Sequence, residues 1–231
     1  MRSFAETSPT PTKAGNDGGM NATGCRLYVI TPERLDLRIF PDLLAQALDA
    51  GDVAAVQLRL KNADDDAWKR TIDALRPIAQ ARRVVFLLND RADLVAATGC
   101  DGAHVGQEDM PAPEARRLMG AGRMLGVTCK SSRDLAQRAV ADGADYVAFG
   151  AFFPSTSKQV TNLADPEILR WWGQGRQLPS CAIGGITAAN LGPLVQAGAN
   201  LLAIIGGVWS HPEGPSAGVR AINAAIKAAT E

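Results

Sequence analysis

The feature that most constrains the fold is a series of eight short apolar runs with segments of helical period between them. The runs are RLYVI (26–30), VAAVQLRL (53–60), VVFLLN (84–89), GAHVG (102–106), MLGVT (124–128), DYVAFG (145–150), CAIGG (181–185) and LLAIIGG (201–207). Apolar strands separated by helices predict a parallel sheet that is buried on both faces, because each parallel connection needs a crossover. Eight such units of about 25 residues each predict a closed (β/α)8 TIM barrel, with an open doubly wound sheet as the alternative.

Three of the segments between the runs are predicted to be helices, at 66–82, 132–142 and 187–197. In the last segment Thr187 is the expected N-cap and Gly198 the expected left-handed stop, while Pro193 should kink or shorten the helix. Residues 1–24 are rich in Ser, Thr, Pro, Gly and Asn and show no apolar period. We therefore expect a disordered tail at 1–24 and one barrel domain at 25–231.

Composition excludes several classes of protein. Lys plus Arg equals Asp plus Glu at 24 each, so nothing indicates a nucleic-acid or anionic-membrane surface. The four cysteines (Cys25, Cys100, Cys129 and Cys181) are widely spaced, which argues against a disulfide framework or a zinc site and favours a reducing cytoplasm. No apolar run approaches the roughly 20 residues that span a bilayer. A cytoplasmic protein without a membrane partner is expected.

The residues that follow each run are the candidates for function, because TIM barrels build their active sites at the carboxyl ends of the strands. Gln57, Arg59 and Lys61 stand at alternate positions after the second run and would face the same way if the strand continues. Two cations and an amide can hold a multiply charged anion. A solvated strand end is the equally weighted alternative.

Carboxylates follow the third and fourth runs. Asn89 and Asp90 end one run, and Gln107, Glu108 and Asp109 follow the next. Each carboxylate taken alone is explained by helix capping. Neighbouring strands bring their loops together, however, and two carboxylates in one place suit Mg2+, bound with the phosphates of a substrate.

A second anion site is indicated on the other side of the mouth. A Ser-Thr-Ser-Lys stretch (155–158) follows the sixth run, and Gly-Gly pairs (184–185 and 206–207) end the seventh and eighth. Glycines after these last two strands commonly form a phosphate site, although tight turns alone would also require them. Two anion sites imply two phosphorylated groups.

Groups that perform acid–base or nucleophilic catalysis are scarce. His104 and His211 are the two histidines, and His104 lies within a run, where a histidine of the barrel wall is more common than a base. Cys129 is best read as a buried thiol. The sequence contains no G-x-S-x-G, H-E-x-x-H or Walker A motif and no good dinucleotide-binding fingerprint. The chemistry should need little acid–base machinery.

From about Leu27 to Ile226 the chain resembles the thiamine-phosphate synthase family, whose members are TIM barrels. The resemblance is carried by the order and spacing of QLRLK (57–61), ND (89–90), HVGQEDMP (104–111), GVTCKS (126–131), FGAFFPSTSK (149–158), AIGGI (182–186) and AIIGG (203–207). It implies an enzyme of thiamine biosynthesis, a transferase that joins hydroxymethylpyrimidine diphosphate to a thiazole phosphate and releases pyrophosphate. A carboxylated thiazole would also lose CO2.

The resemblance also implies roles for individual residues. The pyrimidine diphosphate would be bound by the QLRLK segment and its neighbours: Gln57, Leu58, Arg59, Leu60, Lys61, Asn89, Thr128 and Lys158. Of these, Arg59, Lys61 and Lys158 would be catalytic, because they stabilise the departing charge. Asp90 and Asp109 would ligate Mg2+, the implied cofactor. The thiazole phosphate would be held by Ser155, Thr156, Ser157, Gly185, Ile205 and Gly206.

Three positions depart from the family pattern. Thr128-Cys129-Lys130 stands where Ser-Thr-His or Ser-Ala-His is frequent, Gly206 where serine is common, and Leu60 where glutamate is frequent. Alternation would turn Leu60 away from the mouth. The alternative functions are a thiazole tautomerase on the same barrel, a non-catalytic binder of thiamine phosphates and an unrelated phosphosugar-binding barrel. The expected partners are small phosphorylated molecules, and the oligomeric state stays open.

Overall fold

The computed structural model of the protein describes residues 24–155, 162–175 and 178–231. Its strands are β1 (Arg26–Ile30), β2 (Val53–Leu58), β3 (Val85–Asn89), β4 (Gly102–Val105), β5 (Met124–Lys130), β6 (Tyr146–Gly150), β7 (Ser180–Ile183) and β8 (Leu201–Ile204). Its helices are α1 (Phe40–Asp49), α2 (Asp65–Ala81), α3 (Ala92–Thr98), α4 (Ala112–Met119), α5 (Arg133–Ala141), α6 (Glu167–Gly173), α7 (Gly192–Gln196), α8 (Gly206–Trp209) and α9 (Pro215–Thr230). The expected tail falls almost wholly outside the described residues, as do Thr156, Ser157 and Lys158.

The eight strands form a closed parallel barrel in sequential order, with β8 pairing back onto β1. The TIM-barrel prediction is confirmed, and the open sheet is excluded. Each strand lies within about two residues of its predicted run at the amino end, because β-branched and apolar residues fit a sheet that is covered on both faces. None of the helices in the described ranges is both long and apolar enough to cross a membrane.

Strand alternation divides the apolar side chains into two compartments. Outward-facing residues such as Val56, Phe86 and Leu88 pack against the helices in the larger cluster. Inward-facing residues such as Ile30 and Leu87 fill the barrel. Both sets are almost fully buried, so truncation of one large side chain to alanine should cost roughly 2–5 kcal/mol. The barrel is therefore a rigid support for the loops at its mouth.

Two of the predicted helices agree with the structure to within a residue or two. The Asp64 side chain caps α2 by accepting a hydrogen bond from the Ala67 N–H at 2.7 Å. The Ser132 side chain caps α5 in the same way, from the Leu135 N–H at 3.2 Å. Both caps satisfy amide groups that have no partner within their helix.

The predicted start of the third helix, at Thr187, is wrong. Helix α7 comprises only Gly192–Gln196, and Pro193 lies in its first turn, where a proline costs no hydrogen bond. The segment before it is a loop because the Asn190 side chain accepts from the Thr187 N–H at 2.7 Å and donates to the Gly185 carbonyl at 2.9 Å. The expected left-handed stop is confirmed, with φ +92° at Gly198. Asn190 thus fixes the loop that follows β7.

Candidate active site

A pair of cations lies at the carboxyl end of β2. The strand ends at Leu58, so Arg59 and Lys61 lie in the loop that follows it. Their side chains nevertheless come together at one carboxylate. Arg59 Nη1 lies 2.5 Å, and Lys61 Nζ 3.1 Å, from the same oxygen of Glu33. The hydrogen bonds from both cations hold the pKa of Glu33 below its usual range. The two cations are therefore positioned together and share a carboxylate.

Sequence reasoning did not single out Glu33. It lies three residues beyond the end of β1, in the loop that precedes α1. Its signal in the sequence is its position just after the first run, because β1 and β2 are neighbours in the barrel. The Thr31 side chain holds the two loops together, since the Arg59 N–H donates to Thr31 Oγ1 at 3.0 Å.

The other members of the QLRLK segment face two different compartments. Gln57 is only 3% exposed and faces the interior, where its amide donates to Tyr28 Oη at 2.9 Å. The side chains of Leu58 and Leu60 pack in the cluster between the sheet and the helices. Only backbone groups of these two leucines are thus directed toward the mouth, as alternation predicts for Leu60.

Two carboxylates meet between β3 and β4. Burial, followed by the charge of Asp109 and a hydrogen bond with it, raises the pKa of Asp90 to about 7. The Asn89 amide donates to Asp90, and Arg59 opposes the rise through its charge. Asp90 has a left-handed backbone, with φ +62°, which aims its side chain away from the usual course of a strand. The predicted juxtaposition of Asp90 and Asp109 is thus present in the structure.

Neither carboxylate caps a helix, which removes the alternative explanation for both. Helices α3 and α4 begin after Arg91 and Pro111, and neither start has a side-chain cap. The Asp109 carboxylate instead accepts from the Gly106 N–H at 3.0 Å and closes its own loop.

The carboxylate pair fits a magnesium ion in part. Two close carboxylates, one with a raised pKa, are stabilised by a proton or by a bound cation. Mg2+ is commonly held by one or two carboxylates, with waters and substrate phosphates as its other ligands. Within the described ranges no cluster of three His, Cys, Asp or Glu side chains forms a metal cage. The donor set therefore suits an ion that arrives with a phosphorylated substrate.

The loops after β4 and β5 are tied together. Gln107 donates to the Thr128 carbonyl at 2.6 Å, and Lys130 Nζ lies 3.4 Å from Glu108 Oε1. The Lys130–Glu108 pair is solvent-exposed and adds little stability. Between Thr128 and Lys130 the strand register shifts, and Cys129 points into the outer core. Burial raises the pKa of the Cys129 thiol to about 12, so the buried-thiol prediction is confirmed.

His104 is a buried histidine of the barrel wall, as predicted. Its Nδ1 lies 2.8 Å from Tyr146 Oη and its Nε2 2.7 Å from Thr128 Oγ1. Burial lowers the pKa of His104 to about 4, so the ring is neutral near pH 7. Tyr28 and Tyr146, which the sequence did not single out, lie in the same interior. Their hydroxyl oxygens are 2.9 Å apart and share a hydrogen bond. The sequence feature that could have indicated these two tyrosines is a side-chain hydroxyl at a strand position that faces the barrel interior.

The glycines after β7 are required by close packing as well as by conformation. Gly184 and Gly185 have φ of +103° and +64°. A Cβ on Gly185 would lie 2.3 Å from the Pro154 carbonyl oxygen, so this loop lies directly against the loop after β6. The half-buried Ser155 is next to this contact. Gly206 opens α8 and has free space around its Cβ position.

Cations and carboxylates thus occupy the β2–β3–β4 side of the mouth, and glycine loops occupy the β6–β7–β8 side. A multiply charged anion matches the first side. A smaller anion matches the second, where backbone N–H groups can approach it. The arrangement can hold two anionic molecules beside each other at the mouth of the barrel.

The chain is similar to known proteins of one family. The family model for thiamine monophosphate synthase matches residues 27–208. The thiamine-phosphate synthase of Rhodospirillum centenum is 58% identical over 205 residues, covering 89% of this chain and 99% of that protein. The thiamine-phosphate synthase of Hyphomonas neptunium is 48% identical, covering 86% of this chain and 92% of that protein. A solved thiamine phosphate pyrophosphorylase from Pyrococcus furiosus has a TM-score of 0.77 at 28% identity, covering 89% and 97%.

Proposed function

The chain belongs to the thiamine monophosphate synthase family, and on this basis we propose that its barrel mouth joins hydroxymethylpyrimidine diphosphate to a thiazole phosphate. The products are thiamine phosphate and pyrophosphate, with CO2 in addition when the thiazole is carboxylated. The protein is thus a transferase of thiamine biosynthesis. The observation that carries the proposal is the cation pair of Arg59 and Lys61 beside the carboxylate pair of Asp90 and Asp109.

The diphosphate of the pyrimidine binds on the β2–β3–β4 side. Arg59 and Lys61 contact its oxygens, and Lys158 is proposed to complete the set from the loop after β6. Asn89 and the backbone of Leu58 and Leu60 line this side. The pyrimidine ring is proposed to bind between Gln57 on β2 and Thr128 on β5.

Asp90 and Asp109 are the proposed ligands of Mg2+. Their closeness and the raised pKa of Asp90 support this role, since a cation relieves the repulsion between two carboxylates. When bound, Mg2+ neutralises charge on the leaving pyrophosphate.

The thiazole phosphate binds on the β6–β7–β8 side. The proposed contacts are hydroxyl and backbone groups of the last three strand ends: Ser155, Thr156, Ser157, Gly185, Ile205 and Gly206. Support comes from the left-handed turn at Gly185 and from its packing against the loop that leads to Ser155.

The reaction requires no nucleophile or base from the protein. The C–O bond between the pyrimidine methylene and the diphosphate breaks, and the electron pair leaves with pyrophosphate. Arg59, Lys61 and Lys158 stabilise this negative charge. The electron-rich aminopyrimidine stabilises the methylene cation, and the thiazole nitrogen attacks it. Holding both molecules in line contributes roughly 7–11 kcal/mol in favourable intramolecular systems. A neutral His104 is consistent with chemistry that transfers no proton to the protein.

The decisive experiment is an assay of the purified protein with both substrates, with and without Mg2+, and with the thiazole in its plain and carboxylated forms. We expect thiamine phosphate and stoichiometric pyrophosphate only when Mg2+ is present. Absence of product with both substrates saturating would refute the synthase. Conversion of one thiazole isomer into another without pyrimidine would identify a tautomerase instead.

We further propose that the protein acts in the cytoplasm and that its partners are these small molecules. The four cysteines are free thiols, three of them buried, which suits a reducing compartment.

A further inference from the structure

A chain of hydrogen bonds crosses the interior of the barrel from β2 to β5. It runs from Gln57 Nε2 to Tyr28 Oη (2.9 Å), to Tyr146 Oη (2.9 Å), to His104 Nδ1 (2.8 Å) and from His104 Nε2 to Thr128 Oγ1 (2.7 Å). The two tyrosines are 1% exposed and His104 7%. The chain therefore joins two residues of the proposed pyrimidine site through three residues buried from solvent.

The chain has a direction, which Gln57 sets. Its Nε2 can only donate, so Tyr28 Oη accepts there and has its own hydrogen left to give. The partner for that hydrogen is Tyr146 Oη, and Tyr146 then donates to the unprotonated Nδ1 of His104. His104 consequently carries its hydrogen on Nε2 and donates to Thr128.

The reverse direction is less stable. If Tyr146 donated to Tyr28, the buried Tyr28 hydroxyl would accept twice and leave its hydrogen without a partner among the described residues. An unsatisfied buried polar group costs about 1–3 kcal/mol, which corresponds to a preference of roughly 5- to 150-fold for the first direction.

The direction determines what the two ends offer to a ligand. Gln57 bonds to the chain through Nε2, so its Oε1 is an acceptor that receives no hydrogen bond within the described part of the chain. Thr128 Oγ1 already accepts from His104, so its hydroxyl hydrogen is a donor. An aminopyrimidine carries an amino donor on one edge and a ring-nitrogen acceptor on the opposite edge. The Gln57 oxygen can accept from the amino group, and the Thr128 hydroxyl can donate to the ring nitrogen.

We propose that Tyr28, Tyr146 and His104 are positioning residues that make the site selective for an amino- rather than an oxopyrimidine. The inference rests on the proposed function and deepens it. The three side chains act through Gln57 and Thr128, which they lock in one hydrogen-bonding state before the substrate arrives.

Space for the chain is provided by Gly126. A Cβ on this residue would lie 2.1 Å from Cζ and 2.3 Å from Oη of Tyr146. The backbone of Gly126 does not have the positive φ that would by itself call for glycine, so the requirement is one of volume. The absence of a side chain at Gly126 on the neighbouring strand therefore makes room for the Tyr146 hydroxyl.

The test compares the aminopyrimidine diphosphate with its analogue in which an oxo group replaces the amino group. For Tyr28→Phe we expect the preference for the amino compound, measured as the ratio of kcat/KM values, to fall about tenfold, the equivalent of one hydrogen bond. The KM for thiazole phosphate should stay unchanged. Folding of each variant is checked by circular dichroism and thermal unfolding.

Tyr146→Phe is the second variant and touches neither Gln57 nor the ligand. Without the Tyr146 hydroxyl, the Tyr28 hydroxyl is free to donate to Gln57 Oε1. The Gln57 amide then rotates so that its NH2 group, and no longer its oxygen, is directed toward the ligand. The preference for the amino compound should therefore fall in this variant as well. Ser180→Ala is the matched control, because it removes a buried strand hydroxyl at the opposite end of the barrel. Its preference should equal that of the wild type. Folded tyrosine variants with wild-type preference would overturn the proposal.

A second measurement needs no turnover. The chain has two histidines, so ring 15N spectra of histidine-labelled protein are simple to assign with a His211→Gln variant. We expect His104 as the neutral Nε2–H tautomer. The Nδ1–H tautomer would overturn the direction of the chain, whatever the enzyme assay shows. Failure of the wild type to convert the amino substrate would instead count against the proposed function.

Discussion

Individual charges in the mouth are compensated before any ligand is bound. Arg59 and Lys61 share the Glu33 carboxylate, and Asp90 tends to keep a proton beside Asp109. A diphosphate must therefore compete with Glu33 for the two cations. The same competition assists the departure of pyrophosphate once the product has formed.

Replacement of Glu33 by Gln should strengthen binding of pyrophosphate. The amide keeps the size of the side chain but no longer competes as an anion for Arg59 and Lys61. We expect the inhibition constant of pyrophosphate to fall several-fold, since hydrogen bonds to charged groups contribute about 1.5–3 kcal/mol. Product-inhibition kinetics measure this change. Glu114→Gln, in an exposed pair on α4, is the control, and an equal change in both variants would contradict the expectation.

Replacement of Asp90 by Asn should stabilise the metal-free protein near neutral pH. The wild type must either keep a proton on Asp90 or tolerate its repulsion with Asp109, and Asn does neither. We expect the melting temperature without Mg2+ to rise by a few degrees, equivalent to about 1 kcal/mol. The further rise that saturating Mg2+ together with pyrophosphate gives the wild type should be lost.

The control for this experiment is Asp73→Asn, an exposed carboxylate on α2. It should leave both melting temperatures as in the wild type. A full rise in Asp90→Asn on addition of Mg2+ and pyrophosphate would remove Asp90 from the proposed metal site.

Among the elements, the loops after β6 and β7 behave as one unit. Gly184 and Gly185 lie against residues 151–154 at distances that no side chain can occupy. The Asn190 side chain fixes the same loop from the other side through the Gly185 carbonyl. The position of the proposed phosphate site is thus set by packing between two loops.

Gly185→Ala and Gly206→Ala should differ in their effect on stability. Alanine at 185 meets both a left-handed φ and the Pro154 carbonyl, so we expect a loss of about 2 kcal/mol or more. At 206 the Cβ position is open, and the change should be within about 0.5 kcal/mol. Urea unfolding measures both. Equal losses would show that the contact between the loops does not determine the difference.

The sequence predicted these elements unevenly, for physical reasons. Strands were found because apolar runs of this length are typical of a sheet covered on both faces. The start of α7 was missed because one side chain, Asn190, holds residues that have a helical pattern in a loop. The rule that strand ends meet at the mouth predicts the closeness of Asp90 and Asp109, and the same rule applied to the end of β1 gives Glu33.

For the molecule as a whole, the buried polar interior should make stability depend on pH. Unfolded His104 takes up a proton below about 6.5, whereas in the folded barrel it does so only below about 4. The unfolded state therefore binds more protons between these values, and the free energy of unfolding falls as the pH is lowered through this range. The contribution of the neutral, buried His104 to the free energy of unfolding is fully present above about pH 6.5.

We expect His104→Gln to flatten this fall. Urea unfolding of both proteins in metal-free buffer between pH 4 and 7 measures the difference, which should reach the order of 3 kcal/mol at the acid end. Asp90, whose raised pKa gives the opposite slope, is present in both proteins and affects each alike. Parallel curves would contradict the assignment of His104 as a neutral buried base.

The fit of Tyr146 against Gly126 has a consequence for the history of the barrel. Because a Cβ at 126 would occupy the volume of the tyrosine ring, position 126 cannot gain a side chain unless position 146 becomes smaller. Relatives that carry a side chain at 126 should have a smaller residue at 146, and with it a different preference among pyrimidine rings. A side chain at 126 should therefore be inherited only together with a substitution at 146.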